Sequence, residues 1–331
     1  MQREIREYFG MRRSPVGGVR NKEDIYFSTD FSVAQTSIID IVLEDGWMAL
    51  IGSIGAGKTT IMREAIELLN KSERIKAVDV ISLDRERLKI SGIMSAMILD
   101  LSEETPKRMQ EFRERQLRRI LGEVSREHKI ALLIDEAHLL WPPTLLALKR
   151  LRELAWGRRC PLFSTVLIGQ PALKHKLEKL TEVNLRCAQI EIQGMTAGEA
   201  REYIEKKFAS AGVEIVPMND EALEMLSSAG RFPLAINNTL AQALELAYYS
   251  GRDKVEKGDI EIALGPQLSL REKAERLNLT TTAIGKAMGK HKAIISRILN
   301  GRPGDSQKSY KAIEDFLDGE LESRAQVAAT K

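Results

Sequence analysis

Cysteine is almost absent from this chain: Cys160 and Cys187 are the only two in 331 residues. They show neither metal-ligand spacing nor a disulfide pattern, which excludes a stapled secreted scaffold and makes a reducing cytoplasm the expected setting. No apolar run approaches the length of a membrane span, so no membrane partner is expected. The opening Met1-Gln2-Arg3-Glu4-Ile5-Arg6-Glu7 is charged and carries no signal-peptide apolar core. Charge of one sign is also lacking in excess, since 50 basic and 47 acidic residues leave a net charge of +3. Total charge therefore selects no partner, and only local clustering can do so. There is no solenoid-type repeat and no low-complexity tract apart from a small-residue tail. With 43% apolar and 29% charged residues, the chain has the composition of a soluble protein of two or three domains.

What is present is Gly52-Ser53-Ile54-Gly55-Ala56-Gly57-Lys58-Thr59, followed by Thr60, which meets every fixed position of G-x-x-x-x-G-K-[ST]. The apolar run Trp47–Ile51 before it reads as a buried strand. After it, Ile61, Ala65, Ile66, Leu68 and Leu69 recur at helical spacing. Glycines let the backbone wrap a polyphosphate while successive N–H groups at a helix start point at it. Gly52, Ser53, Gly55, Ala56, Gly57, Lys58, Thr59 and Thr60 are therefore the expected ATP-binding residues. Lys58 adds charge at the β- and γ-phosphates, and the Thr59 hydroxyl is the expected Mg²⁺ ligand.

Ile130–Ile134 followed by Asp135-Glu136-Ala137-His138 is an apolar strand ending in two carboxylates. Asp135 is expected to complete the Mg²⁺ shell and Glu136 to orient and polarise the attacking water. His138 reads equally as a structural group or as one coupled to a neighbouring site. Val166–Gly169 is a further strand ending at Gln170, which either senses the γ-phosphate or positions water, or caps a turn.

Strands are expected near 47–51, 76–82, 130–135 and 164–169 with helical patterns between them, an α/β arrangement with a mostly parallel sheet covered by helices. Residues 1–45 read as a lead-in with turn signals at Pro15-Val16-Gly17-Gly18, and 46–195 as the nucleotide-binding core. An all-α lid spans 196–265, opened by the capping box Thr196-Ala197-Gly198-Glu199, with helices near 219–228, 233–249 and from Lys257. A small all-α module spans 268–320, and 321–331 is expected to be a flexible tail.

Within that module, residues 282–301 read as helix-turn-helix. Ile284, Ala287 and Met288 give one apolar face, Gly289 the turn, and Ile294, Ile295 and Ile298 the buried side of the second helix. That leaves Lys290, His291, Lys292, Ser296 and Arg297 to face a DNA groove or its phosphates. Five basic residues and no acidic one lie between Ala283 and Arg302, which favours duplex DNA over a protein-docking role. Lys107 to Lys129 is arginine-rich but interleaved with glutamates, as on a solvated helix. Lys149, Arg150, Arg152, Arg158 and Arg159 are balanced locally by Glu153 alone and could contact DNA phosphates, as could the loop of Arg85, Arg87 and Lys89.

The P-loop, Leu132-Leu133-Ile134-Asp135-Glu136-Ala137-His138, the strand ending Leu167-Ile168-Gly169-Gln170-Pro171, and the helical lid after them resemble an AAA+ ATPase. Within that superfamily the chain is similar to the transposition ATPases of the phage Mu B type and to the ExeA-like secretion ATPases. Tyr8-Phe9-Gly10 with Ile25-Tyr26-Phe27 is similar to the ExeA-like start. Ile295–Gly301, then Tyr310 through Leu317, resembles the helix-turn-helix of the Mu B type, which there precedes the ATPase and here follows it. The resemblance implies a homo-oligomer, ring or helical filament, that assembles on double-stranded DNA with ATP bound. It further implies target-DNA capture and a transposase as partner. It also implies an arginine that touches a neighbour's γ-phosphate: Arg186, with Arg158 and Arg159 as rivals. The lid's usual Gly-x-Pro-Arg is here Gly230-Arg231-Phe232-Pro233-Leu234, with leucine at the sensor position. The alternatives are a helicase-loader or initiator-type ATPase, an ExeA-like secretion ATPase, and a nucleotide-switched transcription factor.

Overall fold

The apolar runs pair into one parallel sheet of five strands: β1 (Trp47–Ile51), β2 (Ile75–Asp79), β3 (Lys129–Ile134), β4 (Ser164–Gly169) and β5 (Ala188–Glu191), in the order β2-β3-β4-β1-β5. The computed structural model describes residues 1–19, 21–71, 74–80, 88–265, 270–271, 274, 277, 279–299 and 312–317. The three central strands are buried almost throughout, whereas the edge strands β2 and β5 alternate with exposed residues. β1 is flanked by β4, with Ile51 opposite Gly169, and by β5, with Ile51 opposite Glu191. Strand β2 ends at Asp79, so the last part of the expected 76–82 strand falls partly outside the described residues.

Alternation along β1 sorts the two faces. Trp47, Ala49 and Ile51 pack with Ile93 and Met97 of α4 (Ile90–Leu101), Leu117 of α5 (Gln110–Val124) and Leu148 of α6 (Pro142–Arg152). Met48 and Leu50 face Phe31, Ile38 and Val42 of α2 (Thr29–Leu43) and Ile61 and Ala65 of α3 (Lys58–Asn70). Helix α2 lies inside the stretch read as a lead-in. Its apolar residues Phe31, Ala34, Ile38 and Val42 form one stripe, and the Ser28 hydroxyl caps it by accepting from Phe31 N–H.

Three elements follow the sheet's central strands: α7 (Pro171–Glu178), α8 (Thr181–Asn184) and then β5. The stretch expected as a lid holds four helices, α9 (Ala197–Ser210), α10 (Asp220–Ala229), α11 (Pro233–Tyr249) and α12 (Lys257–Leu264). Its core takes in Ile5 and Phe9 from the first residues of the chain, beside Phe208, Leu240 and Leu244. Residues 12–19 and 21–28 form a strap along α9: Arg12 N–H bonds Ala211 O, Lys206 Nζ bonds Ile25 O, and Tyr26 Oη donates to Glu202. The Glu199 carboxylate closes the capping box on Thr196 N–H and also accepts from Thr29 N–H at 2.7 Å, tying the lid to α2. Those backbone bonds hold its pKa down from the ordinary 4.5 to about 2.

Residues 1–263 and 264–331 form two compact units. In the second, the helices Thr281–Met288 and Lys292–Leu299 meet across Gly289, whose φ of 63° is left-handed. Ile284, Ile295 and Ile298 are buried with Leu270, Ile313 and Leu317. Ala287, expected in the apolar face, is exposed; Gly285 takes the buried place, and a Cβ there would come within 2.7 Å of Lys290 O. The turn at 301–304, Tyr310 and the tail 321–331 lie outside the described residues.

Candidate nucleotide site and nucleic-acid interface

The P-loop leaves the C-terminal end of β1, Asp135 follows β3 and Gln170 follows β4, so the parallel sheet delivers all three segments to one edge. Gly55 and Gly57 adopt left-handed φ values of 74° and 84°, a bend that glycine takes without steric cost. Lys58 is buried and donates from Nζ to Gly52 O at 2.9 Å and to Ser53 O at 2.8 Å. Burial lowers its pKa, opposed by the charges of Glu136 and Asp135.

Thr59 Oγ1 donates to Asp135 Oδ2 at 3.0 Å, and Asp135 Oδ1 accepts from Glu136 N–H at 2.8 Å. A hydroxyl and a carboxylate oxygen at touching distance form the hard donor set that Mg²⁺ takes, so these residues fit that ion. Glu136 is one of two non-glycine residues with positive φ among the described residues, at 55°, a conformation held against its own preference. Its Oε2 lies 3.3 Å from Nδ1 of His138. Burial lowers the His138 pKa, which keeps the ring neutral at pH 7, while Lys176 Nζ holds the His138 and Leu140 carbonyls.

One cleft of about 390 Å³ is lined by Lys58, Thr59, Glu136, Gln170, Leu234 and Asn237 among others, bringing three of the five expected catalytic residues, Lys58, Glu136 and Gln170, together. Leu234, at the sensor-arginine position, sits against the loop: a Cβ on Gly55 would come within 2.2 Å of Leu234 Cβ. Beside Gly57 and Thr60 opens a second, apolar pocket of about 100 Å³, lined by Ile25, Phe31, Ile192, Tyr203 and Phe232. Its walls come from five separated segments, and no spacing in the sequence connects them. Asp30 braces one wall by accepting from Gln193 N–H at 2.6 Å and Gly194 N–H at 2.9 Å.

Arg186 lies away from this cleft, exposed before β5 and paired with Glu153 Oε1 at 2.7 Å. Lys149 is held between Glu182 at 2.5 Å and Glu153 at 3.6 Å. Arg152 does not face solvent as its place in a basic helical turn suggested. Its guanidinium donates to Phe163 O at 2.7 Å, Asp45 O at 2.8 Å and Thr165 Oγ1 at 3.2 Å. It stacks over Trp47 and Phe163, and burial lowers its pKa to about 10. The expectation of a DNA contact is therefore replaced by a structural role at the base of the sheet. Arg85 and Arg87 lie outside the described residues.

In the second unit His291, Lys292 and Arg297 are exposed, while Lys290 and Ser296 are half-buried. All five lie on or just before the helix Lys292–Leu299, whose Ile295 and Ile298 are buried.

Residues 42–177 match the family model of an AAA domain. No curated protein matches the sequence. Among solved structures, Cdc6p from Pyrobaculum aerophilum is similar with a TM-score of 0.55 at 16% identity, over 93% of this chain and 89% of that one. The Aeropyrum pernix ORC2 protein in its ADPNP-ADP complexes is similar at 0.53 and 14% identity, over 93% and 89%. Drosophila ORC bound to DNA is similar at 0.53 and 13% identity, over 96% of this chain and 83% of that one. The match over 42–177 thus lies within an α/β fold similar to that of the Cdc6 and ORC structures.

Proposed function

We propose that this protein is an ATP-hydrolysing, DNA-binding AAA+ ATPase of the initiator or helicase-loader type, which works as an assembly of copies on duplex DNA. The observation that carries the reading is the single cleft in which Lys58, Thr59, Glu136 and Gln170 converge, with Asp135 bonded to Thr59 at its floor. Lys58 leaves the carbonyls of Gly52 and Ser53 to meet phosphate oxygens, and the loop N–H groups bind the remainder. Thr59 and Asp135 would hold Mg²⁺, which when bound neutralises phosphate charge. Glu136, whose carboxylate stands beside His138 and whose residue lines the cleft, orients water, and Gln170 lines the same space. Arg186 is the residue proposed to reach the nucleotide of a neighbouring copy, its partner Glu153 keeping it extended at the surface.

The second unit supplies the DNA contacts through Lys290, His291, Lys292, Ser296 and Arg297, with affinity dominated by phosphates. The sequence resemblance to transposition ATPases offers the same parts with a transposase as partner. Likeness of fold to Cdc6 and ORC proteins, one of them in a structure bound to DNA, supports the initiator reading over it. The test is a mobility shift on duplex DNA. Glu136→Gln with ATP should bind at least as tightly as the wild type while turnover falls roughly 10²- to 10⁴-fold. Lys58→Ala should lose the ATP-dependent part of binding, and a Lys58→Ala protein that responds to ATP as the wild type does would end the proposal.

A further inference from the structure

The lid offers no arginine to the phosphate cleft, yet it places a different cation there. Leu234 fills the position against Gly55, and Arg231 is exposed and lines the apolar pocket rather than the cleft. Lys207, one α9 turn beyond Tyr203, is 7% exposed. It lines three adjoining cavities: the apolar pocket, the cleft of Lys58 and Glu136, and a small polar recess under the strap. Lys207 is thus shared between the apolar pocket and the cleft of Lys58, and its ammonium is held at Gly17 O, a residue that lines the cleft and the recess.

An ammonium carries three donors, and this one makes a single hydrogen bond, to Gly17 O at 3.0 Å, and no ion pair among the described residues. Asp24, whose charge reaches Lys207, is bound by Arg13. A nearly buried cation whose one hydrogen bond is to a neutral acceptor, and whose nearest carboxylate is taken by Arg13, is stabilised further when an anion binds it directly. Packing over the Tyr203 ring, 5.8 Å from the centroid, steadies the side chain without supplying that anion.

We propose that Lys207 is a nucleotide-binding residue, the lid's ligand for the α- or β-phosphate of a nucleoside di- or triphosphate. The assignment rests on the nucleotide reading above and deepens it. Its consequence is a lid that responds to the diphosphate and is indifferent to the γ-phosphate, because Leu234 carries no charge to sense it.

The test is calorimetric titration of ATP and of ADP into the wild type, Lys207→Met, Lys207→Gln and Lys58→Ala. Lys207→Gln keeps a donor for Gly17 O and removes the charge, which separates strap anchoring from phosphate binding. Both Lys207 variants should weaken ATP and ADP by the same factor, about 10- to 100-fold, with the nucleotide-free melting temperature of Lys207→Gln unchanged. Wild-type affinity in both, a loss confined to ATP, or a loss that tracks a drop in melting temperature would overturn the assignment. If those results come with Lys58→Ala failing to bind, the nucleotide reading stands and only Lys207 is excluded. If Lys58→Ala binds as the wild type does, the nucleotide reading itself fails.

Discussion

Thr59 and Asp135 stand 76 residues apart in sequence and one hydrogen bond apart in space, Oγ1 to Oδ2 at 3.0 Å. Their contact exists because β1 and β3, separated by β4, end at the same edge of a parallel sheet. Thr59→Val removes the hydroxyl while keeping the shape of the side chain. The Mg²⁺ concentration for half-maximal ATP hydrolysis should rise by about 10-fold, the worth of one good polar contact. An unchanged Mg²⁺ dependence would separate Thr59 from the metal.

Glu199 ties α9 to α2, and its pKa is lowered from the ordinary 4.5 to about 2, chiefly by the N–H groups of Thr196 and Thr29. A depressed carboxylate pKa contributes stability above the unfolded value and loses it as pH falls through the folded one. The melting-temperature gap between wild type and Glu199→Gln should therefore be full above about pH 5 and shrink between pH 4.5 and 2. A gap that grows on acidification would contradict the linkage.

Arg152 satisfies the Phe163 and Asp45 carbonyls and the Thr165 hydroxyl at once. Arg152→Met keeps apolar bulk against Trp47 and Phe163 but orphans those acceptors, and should cost roughly 2–4 kcal/mol in denaturant unfolding. DNA affinity of the folded variant should match the wild type. Weaker DNA binding without loss of stability would restore the phosphate contact that the geometry replaces.

Lys292 and Arg297 are exposed on the helix Lys292–Leu299. Lys292→Ala and Arg297→Ala should each weaken duplex binding and reduce the slope of log affinity against log salt by about 1 if each meets one phosphate. Identical salt slopes in wild type and both variants would remove this helix from the interface.

The central strands were legible because β1, β3 and β4 are short apolar runs closed by chemistry-bearing residues, Gly52, Asp135 and Gln170. Helix α2 was missed: its stripe of Phe31, Ala34, Ile38 and Val42 behind a capping Ser28 follows turn signals that made the whole stretch read as a lead-in. The apolar pocket was not. Ile25, Ile192, Tyr203 and Phe232 meet only because the strap and lid close beside the P-loop, and no periodicity records a meeting of separate segments. Arg152 misled for a related reason: helical spacing shows which residues share a turn, not that Trp47 at the start of β1 and Phe163 just before β4 both meet the guanidinium of one of them.

The most direct measurement is duplex-DNA binding by the purified protein with ATP, ADP and no nucleotide, followed by negative-stain imaging of the products. The expected result is binding to unrelated duplexes that strengthens with ATP, accompanied by rings or filaments on the DNA. Binding that ignores the nucleotide, or no binding in any state, would contradict the coupling of the Lys58 cleft to the basic helix-turn-helix.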